Sequence, residues 1–246
     1  MRMRAGSITR RFGSRGPGSK GATAAASVVV LAAVLAGCGS GTSGTPAAQS
    51  PGYQGGESTA ANAPVGKLVM IIRHGEKPLK KKGGPGIDPA GNVDDHSLTP
   101  VGWQRARALA DVFDGQGPTP AGLTRPATIF AAGANENGQG ARTRETVMPL
   151  AEKLGVRVDA TFGKGDEQAL ARAVAEQPGP TLISWQHSEI PDIAQSFGAV
   201  SPTPPGEWPD DRYDVVWTLL KTQSGWRFSQ IPQMVLPGDQ AVAIAE

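Results

Sequence analysis

Short runs of consecutive apolar residues alternate with stretches of helical periodicity between residues 64 and 200. Residues 67–73 contain an uninterrupted apolar run, which is typical of a strand buried on both faces of a parallel sheet. A helix is predicted over Pro100–Phe113, because Thr99 suits the N-cap and a proline suits the first helical position. Gly155 is expected to end a second helix. Further strands are predicted at 127–132, 156–162 and 181–186, and further helices at 142–154, 166–176 and 191–197.

Two more apolar segments, 213–220 and 226–231, are separated by a Ser-Gly turn and are predicted to form an antiparallel hairpin. Residues 202–211, rich in proline and aspartate, are predicted to be a loop. Alternating strands and helices indicate an α/β fold. We predict a three-layer α/β/α sandwich with a mainly parallel central sheet and a C-terminal antiparallel hairpin. Residues 64–246 have a suitable length for one such domain.

The N-terminal region has the layout of a secretory signal. The first 20 residues carry six basic and no acidic side chains, and an apolar run of mainly Ala and Val follows over 22–36. A permanent membrane span needs roughly 20 apolar residues, so this run is too short for one. It ends in Leu-Ala-Gly-Cys38, which resembles the lipobox of bacterial lipoproteins, and Cys38 is the only cysteine. We predict a lipoprotein signal peptide over 1–37 and acylation of Cys38.

Removal of the signal peptide changes the charge of the protein. The whole chain has 24 basic and 22 acidic residues, whereas the part after residue 37 has 18 basic against 22 acidic residues. A net negative protein gives no indication of nucleic-acid binding, which needs a basic face. Residues 38–63, rich in Gly, Ser, Thr and Pro, are predicted to be a flexible tether. The expected location is the outer face of the cell membrane, as a cell-envelope lipoprotein exported by either the Sec or the twin-arginine route.

Two of the three histidines, His74 and His187, come immediately after predicted strands. Ligands of open α/β sheets bind at the carboxyl edge of the strands, so both imidazoles are expected at one edge. Arg73 precedes the first of them. Arg142 begins a predicted helix, where free backbone N–H groups favour an anion. Because planar guanidinium groups match the oxygens of a phosphoryl group, these four residues indicate a phosphate site.

The order of short motifs resembles the histidine phosphatase (phosphoglycerate mutase-like) superfamily, branch 1. The matching segments are Arg73-His74-Gly75, Leu98-Thr99-Pro100-Val101-Gly102, Arg142-Thr143-Arg144-Glu145-Thr146, and His187 after a strand. The resemblance covers most of 66–200. It implies that His74 attacks phosphorus and is transiently phosphorylated, that His187, Arg73 and Arg142 neutralise the transferring group, and that water cleaves the phosphohistidine. The short distance between the second helix and His187 resembles the short bacterial phosphatases more than the mutases.

The general acid has no defined motif. Glu189, two residues after His187, is the first candidate and Glu167 the second, and either could instead be an ordinary carboxylate at a helix start. Glu76 and Lys77 border the expected pocket and are candidates for substrate contact.

His96 lies in the loop segment Asp94-Asp95-His96 and is expected at the surface. This set lacks the ligand spacing of typical metal sites, so neither a metal nor another cofactor is expected. Loops at 78–95, 133–140 and 201–211 are expected to form the pocket walls.

The sequence therefore predicts a metal-independent phosphatase for a phosphorylated small molecule or a phosphohistidine. A competing hypothesis is a catalytically inactive module of the same fold that binds a phosphorylated ligand or a cell-envelope partner. Such a module would keep the arginines but would not need a nucleophilic imidazole. The sequence does not name the substrate.

Overall fold

A computed structural model describes residues 64–79, 83–134 and 140–245 of the chain. The predicted signal peptide, Cys38 and the tether lie outside the described residues, as do 80–82 and 135–139 of two predicted pocket loops. Within the described ranges, no helix combines the length and the hydropathy that a membrane span requires.

Within the described ranges, seven strands form one sheet. They are β1 (Pro64–Arg73), β2 (Thr128–Ala131), β3 (Val158–Asp159), β4 (Thr181–Trp185), β5 (Val200–Ser201), β6 (Val215–Thr222) and β7 (Trp226–Pro232). Their order across the sheet is β3-β2-β4-β1-β6-β7-β5. Strands β3, β2, β4 and β1 are parallel, while β6 is antiparallel to both β1 and β7. The predicted mainly parallel sheet with a C-terminal antiparallel hairpin is confirmed.

In the described part of the chain, four α-helices flank the sheet: α1 (Pro100–Phe113), α2 (Ala141–Leu154), α3 (Glu167–Glu176) and α4 (Ile190–Ser196). The hydroxyl of Thr99 accepts a hydrogen bond from the backbone N–H of Gly102, so the predicted cap of α1 is confirmed. Gly155 ends α2 with a φ of 65°, a left-handed conformation that glycine adopts at little cost. A short 3-10 turn, His187–Glu189, leads from β4 into α4.

The two faces of the sheet carry separate hydrophobic cores, because successive side chains of a strand point to opposite faces. Met70 and Ile72 of β1 pack with α1 and α2 on one face. Val69 and Ile71 pack with α3 and α4 on the other. Helices on both faces of a buried sheet make the three layers that the sequence predicts.

The remaining differences concern short elements. Strand β3 has two residues instead of the predicted seven, and it pairs with β2 only through Val158 and Asp159. Strand β5 and an isolated bridge between Ile87 and Val93 were not predicted. Elements of one or two residues show no periodicity, so their pairing depends on neighbours that a sequence pattern does not contain. Strand β6 begins at Val215, which leaves Tyr213 outside it.

Candidate active site

The carboxyl ends of β1 and β4 lie side by side. Arg73 and Trp185 are register partners in the parallel pair, and the backbone N–H of His74 donates to the carbonyl of Trp185 at 3.0 Å. His187 follows β4 two residues later. The structure therefore brings the two histidines to the same edge of the sheet, as expected for strand ends that run in parallel.

The imidazole of His74 is buried, with 4% of the residue exposed. Its Nδ1 lies 2.7 Å from the carbonyl oxygen of Gly75. A carbonyl only accepts hydrogen bonds, so Nδ1 carries the proton and Nε2 carries the lone pair. Burial, and then the charge of Arg73, lower the pKa of His74 to about 3. At neutral pH the ring is uncharged, and Nε2 has no hydrogen-bond partner among the described residues.

The motifs around His74 contact one another through backbone and hydroxyl groups. A Cβ on Gly75 would lie 3.0 Å from the carbonyl of Gly102, and a Cβ on Gly102 would lie 2.7 Å from the carbonyl of Glu76. Only glycines allow the backbone at 75–76 and the backbone at 102 to approach this closely. The hydroxyl of Thr146 accepts from the N–H of Gly75 at 2.8 Å and donates to the carbonyl of Arg142 at 2.7 Å. Helix α2 is thus fastened directly to the loop that carries the candidate nucleophile.

Arg73 is fully buried and holds a loop in place. Its Nη1 donates to the carbonyls of Pro209, Asp210 and Arg212 at 3.1, 2.8 and 3.0 Å. Its Nη2 donates to the hydroxyl of Tyr213 at 3.1 Å and to Oδ1 of Asp210 at 3.3 Å. Nε is buried and has no partner among the described residues. The sequence suggested a whole guanidinium fork for phosphate, whereas among the described residues only Nε lacks a partner, because Nη1 and Nη2 bind the loop.

Arg142 and Tyr213 lie near His74. Nη1 of Arg142 donates to the carbonyl of Asp95 at 3.0 Å, and the charge of Arg142 adds to the effects that lower the pKa of His74. The rings of Tyr213 and His74 are 6.2 Å apart. Burial raises the pKa of Tyr213, and its hydroxyl accepts hydrogen bonds from Arg73 and from the N–H of Lys77. A neutral phenol in this position can direct its own proton to an anion.

At this edge of the sheet, one carboxylate oxygen, Oδ1 of Asp210, is in contact with three nitrogen donors. Oδ1 of Asp210 lies 3.2 Å from Nε2 of His187, 3.0 Å from the ammonium of Lys77 and 3.3 Å from Nη2 of Arg73. Burial, followed by the charge of Arg73, lowers the pKa of His187 to about 4. His187 is therefore neutral at pH 7, and its Nε2–H donates to the carboxylate. Its Nδ1 is buried without a partner among the described residues.

Neither predicted general acid contacts the two histidines or the two arginines of the site, as far as the described residues show. Glu189 is buried, with Oε1 bonded to the ammonium of Lys164 and Oε2 without a partner in this part of the chain. Glu167 accepts from the backbone N–H of Gly165 at 3.0 Å and from the indole of Trp185 at 3.3 Å. Glu189 still affects the site, because its charge raises the pKa of His187 against the larger effect of burial.

Glu76 helps to hold the loop that carries His74 in place. Its Oε1 accepts from Nε and Nη2 of the buried Arg105 at 2.9 and 2.8 Å, and Oε2 is buried without a partner among the described residues. Lys77 reaches the site directly through Asp210. His96 is exposed, and among the described contacts its side chain has none with the two histidines or the two arginines of the site. Nowhere in the described ranges do three or more His, Cys, Asp or Glu side chains form a metal-binding group.

Sequence reasoning missed Asp210 and Tyr213. The loop that contains Asp210 was expected to form a pocket wall, but no motif distinguished this aspartate from Asp211 beside it. Tyr213 was assigned to a strand, because it begins an apolar run that continues into β6. The signal that finds both residues is their contact with Arg73, and this contact is visible only in the fold.

Several solved structures are similar to this chain at low identity. The protein histidine phosphatase SixA, solved with tungstate, is 14% identical over 68% of this chain and 97% of its own, with a TM-score of 0.44. A mycobacterial glucosyl-3-phosphoglycerate phosphatase, solved with VO3, is 13% identical over 66% and 96%, with a TM-score of 0.41. A phosphoserine phosphatase variant from Entamoeba histolytica, solved with phosphoserine, is 13% identical over 66% and 95%, also with a TM-score of 0.41. Neither a protein-family model nor a curated protein matches the sequence.

Proposed function

We propose that the chain is a metal-independent phosphatase of the histidine phosphatase type, which hydrolyses a phosphate monoester or a phosphohistidine through a phosphohistidine intermediate on His74. The observation that carries the proposal is the state of this imidazole. It is buried, its Nδ1 is held by the carbonyl of Gly75, and its Nε2 is open. Its pKa of about 3 keeps it neutral, which attack on phosphorus requires.

The reaction proceeds in two displacements. Nε2 of His74 forms a bond to phosphorus while the bond from phosphorus to the leaving oxygen breaks, and that oxygen departs with a proton. Water then attacks the phosphorus, the N–P bond breaks, and inorganic phosphate is released. The hydrogen bond from Nδ1 to Gly75 orients the ring and stabilises the positive charge that develops on it during attack.

Several donors near His74 are suited to the negative charge of the transferring group. Arg142 uses one nitrogen for Asp95 and stands at the start of α2, where the helix dipole favours an anion. Arg73 contributes its buried Nε–H, which has no partner among the described residues. Lys77 from the loop after β1 and His187 from the segment after β4 complete the set. Donors that are already fixed before substrate arrives stabilise the transition state without further reorganisation.

Turnover of p-nitrophenyl phosphate by the purified protein, beside His74→Ala, tests the proposal. We expect the wild type to release p-nitrophenol and the variant to lose at least about 10³-fold in kcat/KM, because the nucleophile is gone. After a brief reaction with radiolabelled substrate, denatured wild-type protein should retain a label that is stable in alkali and lost in acid, as phosphohistidine is.

His96→Ala is the matched control, because it removes an exposed histidine from the same protein. It should turn over substrate and take up label like the wild type. A wild type that binds vanadate but neither hydrolyses nor becomes labelled would instead support the catalytically inactive binding module.

The location of the enzyme is a separate proposal that rests on the N-terminal sequence. We infer that Cys38 is acylated after cleavage of residues 1–37, and that the protein is anchored at the outer face of the cell membrane through this lipid. A tether over 38–63 would let the catalytic domain reach substrates at some distance from the bilayer.

A further inference from the structure

We propose that Asp210 is the catalytic proton donor of this site, giving its proton to the leaving oxygen when His74 attacks phosphorus and taking a proton from water in the second displacement. This inference rests on the phosphatase function proposed above and replaces both sequence-based candidates for the acid. It follows from the contacts of the carboxylate, the anchoring of its backbone and its exposure.

The first observation is the convergence of donors on Asp210. Its Oδ1 is bonded to Arg73 and Lys77, at the end of β1 and in the loop after it, and to His187, which follows β4. Among the ion pairs of the described residues, no other carboxylate contacts any of these three donors. Glu189 and Glu167, by contrast, bond to Lys164 and to Gly165 outside the cluster. Asp210 is therefore the carboxylate that a phosphoryl group at these donors would meet.

The second observation is that the backbone of Asp210 is fixed. Three carbonyls of the segment 209–212, including that of Asp210 itself, accept hydrogen bonds from Nη1 of the buried Arg73. The indole of Trp208 adds a bond to the carbonyl of Arg212 at 2.9 Å. The Trp208 bond stiffens the loop, and a swing of the loop away from the site would break the three bonds to Arg73. The carboxylate consequently stays at the mouth of the site, where 71% of its side chain is exposed and can meet a leaving group.

The charges around Asp210 change when a phosphoryl group binds. In the free protein the hydrogen bond from Lys77, together with the charges of Lys77, His187 and Arg73, lowers the pKa of Asp210. A bound phosphoryl group draws on the same donors and places a second negative charge beside the carboxylate. Two adjacent anions cannot both remain ionised at low cost, so the pKa of one of them rises and it takes up a proton. That proton can come from the monoanion of the phosphate ester, which keeps the overall charge unchanged.

The proton then moves with the bonds. As Nε2 of His74 bonds to phosphorus, the P–O bond to the leaving group breaks and the Asp210 carboxyl transfers its proton to that oxygen. The products are an alcohol, phospho-His74 and an Asp210 carboxylate. In the second displacement the carboxylate accepts a proton from the attacking water, the N–P bond breaks, and phosphate and protonated Asp210 result. The acid is thereby regenerated without any further reactant.

Asp210→Asn tests this assignment by its dependence on the leaving group. Phenolate is a much stronger base than p-nitrophenolate and needs protonation more. We expect the kcat/KM of the variant for phenyl phosphate to fall by about 10²-fold to 10⁴-fold, the usual contribution of a general acid. The loss with p-nitrophenyl phosphate should be at least about tenfold smaller, because p-nitrophenolate departs without a proton. Asp210→Glu, which retains a carboxyl group, should recover part of the activity on phenyl phosphate.

Two variants serve as controls. Asp211→Asn makes the same change at the exposed neighbouring position and should leave both substrates unaffected. Glu189→Gln removes the acid favoured by the sequence and should show no dependence on the leaving group. Thermal melts of all variants would show whether each one is folded.

The possible results separate the two proposals. Equal losses of Asp210→Asn on both substrates would make Asp210 a positioning residue and overturn its role as the acid. A lower KM without loss of kcat would identify it as a competing anion, which also overturns the assignment. A leaving-group dependence in Glu189→Gln alone would return the role to Glu189. In each of these cases turnover by the wild type and labelling of His74 would persist, so the phosphatase proposal would stand. Only a wild type inactive on both substrates would remove the two together.

Discussion

Burial decides the protonation state of His74. An exposed imidazole titrates near pH 6.5, but the buried ring of His74 beside the Arg73 guanidinium has its pKa lowered to about 3. The neutral ring keeps its lone pair over the whole range in which phosphate esters bind as anions. The same burial has a thermodynamic consequence, because the unfolded chain binds a proton at this position that the folded protein does not.

The free energy of unfolding should therefore fall on acidification. Since the folded pKa lies below the unfolded one, the unfolded state holds the extra proton between about pH 6 and pH 4, and lowering the pH favours unfolding. Each such imidazole contributes a slope of up to about 1.4 kcal/mol per pH unit. His74→Gln should show a shallower decline than the wild type by about this slope in urea titrations across this range. An unchanged slope in His74→Gln would contradict the lowered pKa.

Single residues were predictable from the sequence where local context marks them. His74, Arg73 and His187 adjoin buried strands, and Arg142 begins a helix. Asp210 was not predictable, because it contacts Arg73 across 137 positions of the chain. The bonds that place it come mostly from backbone carbonyls, which every residue possesses and no motif records.

At the scale of elements, the site is assembled by contacts between strand ends and helix starts. The loop after β1 packs against the first turn of α1 through Gly75 and Gly102, and it is bonded to α2 through Thr146. These contacts explain why the matched motifs contain glycine and threonine besides the histidine and arginines. Glycine permits the close approach, and the hydroxyl accepts a backbone N–H that would otherwise be buried without a partner.

Thr146→Val should weaken this connection. The substitution preserves the shape of the side chain but leaves the N–H of Gly75 without its acceptor, which costs about 1–3 kcal/mol of unfolding free energy. The loop that carries His74 also loses a fixed point, so kcat/KM for p-nitrophenyl phosphate should fall. Both effects can be measured by urea unfolding and steady-state kinetics.

Thr143→Val is the matched control for that helix. The hydroxyl of Thr143 is buried and donates to the carbonyls of Ala132 and Gly140, so its loss also destabilises the protein. The hydroxyl of Thr143 makes no bond to the loop that carries His74. At a similar loss of stability, the kcat/KM of Thr143→Val should therefore fall less than that of Thr146→Val. Equal kinetic losses in the two variants would show that Thr146 acts through general stability alone.

For helices and strands that are long enough to show a clear periodicity, the sequence predicts the bounds within a few positions. Helix α1 begins and ends where its cap and apolar spacing indicate, and β1 and β4 follow their apolar runs. Strand β5 could not be predicted, because a two-residue strand is defined only by its partner, β7.

At the scale of the whole molecule, the C-terminal segment is bonded to residues that hold the site in place. The buried Arg105 of α1 bonds to Glu76 beside the His74 loop and to Asp239 near the chain end, at 2.8 Å in each case. Arg212, in the loop held by Arg73, bonds to Asp214 and to the carbonyl of Val242. Ion pairs that are buried and doubly hydrogen-bonded are costly to break at one partner. The candidate site is consequently coupled to Asp239, about 165 positions from His74, so the C-terminal segment contributes to holding the site together.

The N-terminal sequence adds a prediction about where the protein is located. Acylation of Cys38 should place the protein in the detergent-rich phase of a Triton X-114 separation and allow metabolic labelling with palmitate, because buried acyl chains bind bilayers and micelles. Cys38→Ser should move the protein to the aqueous phase and abolish the label, while the activity per molecule on p-nitrophenyl phosphate stays unchanged, since the tether separates the lipid from the site. Ser40→Ala, two positions away, should behave like the wild type. Retention of Cys38→Ser in the detergent phase would mean that the apolar run of the N terminus remains uncleaved and itself anchors the protein.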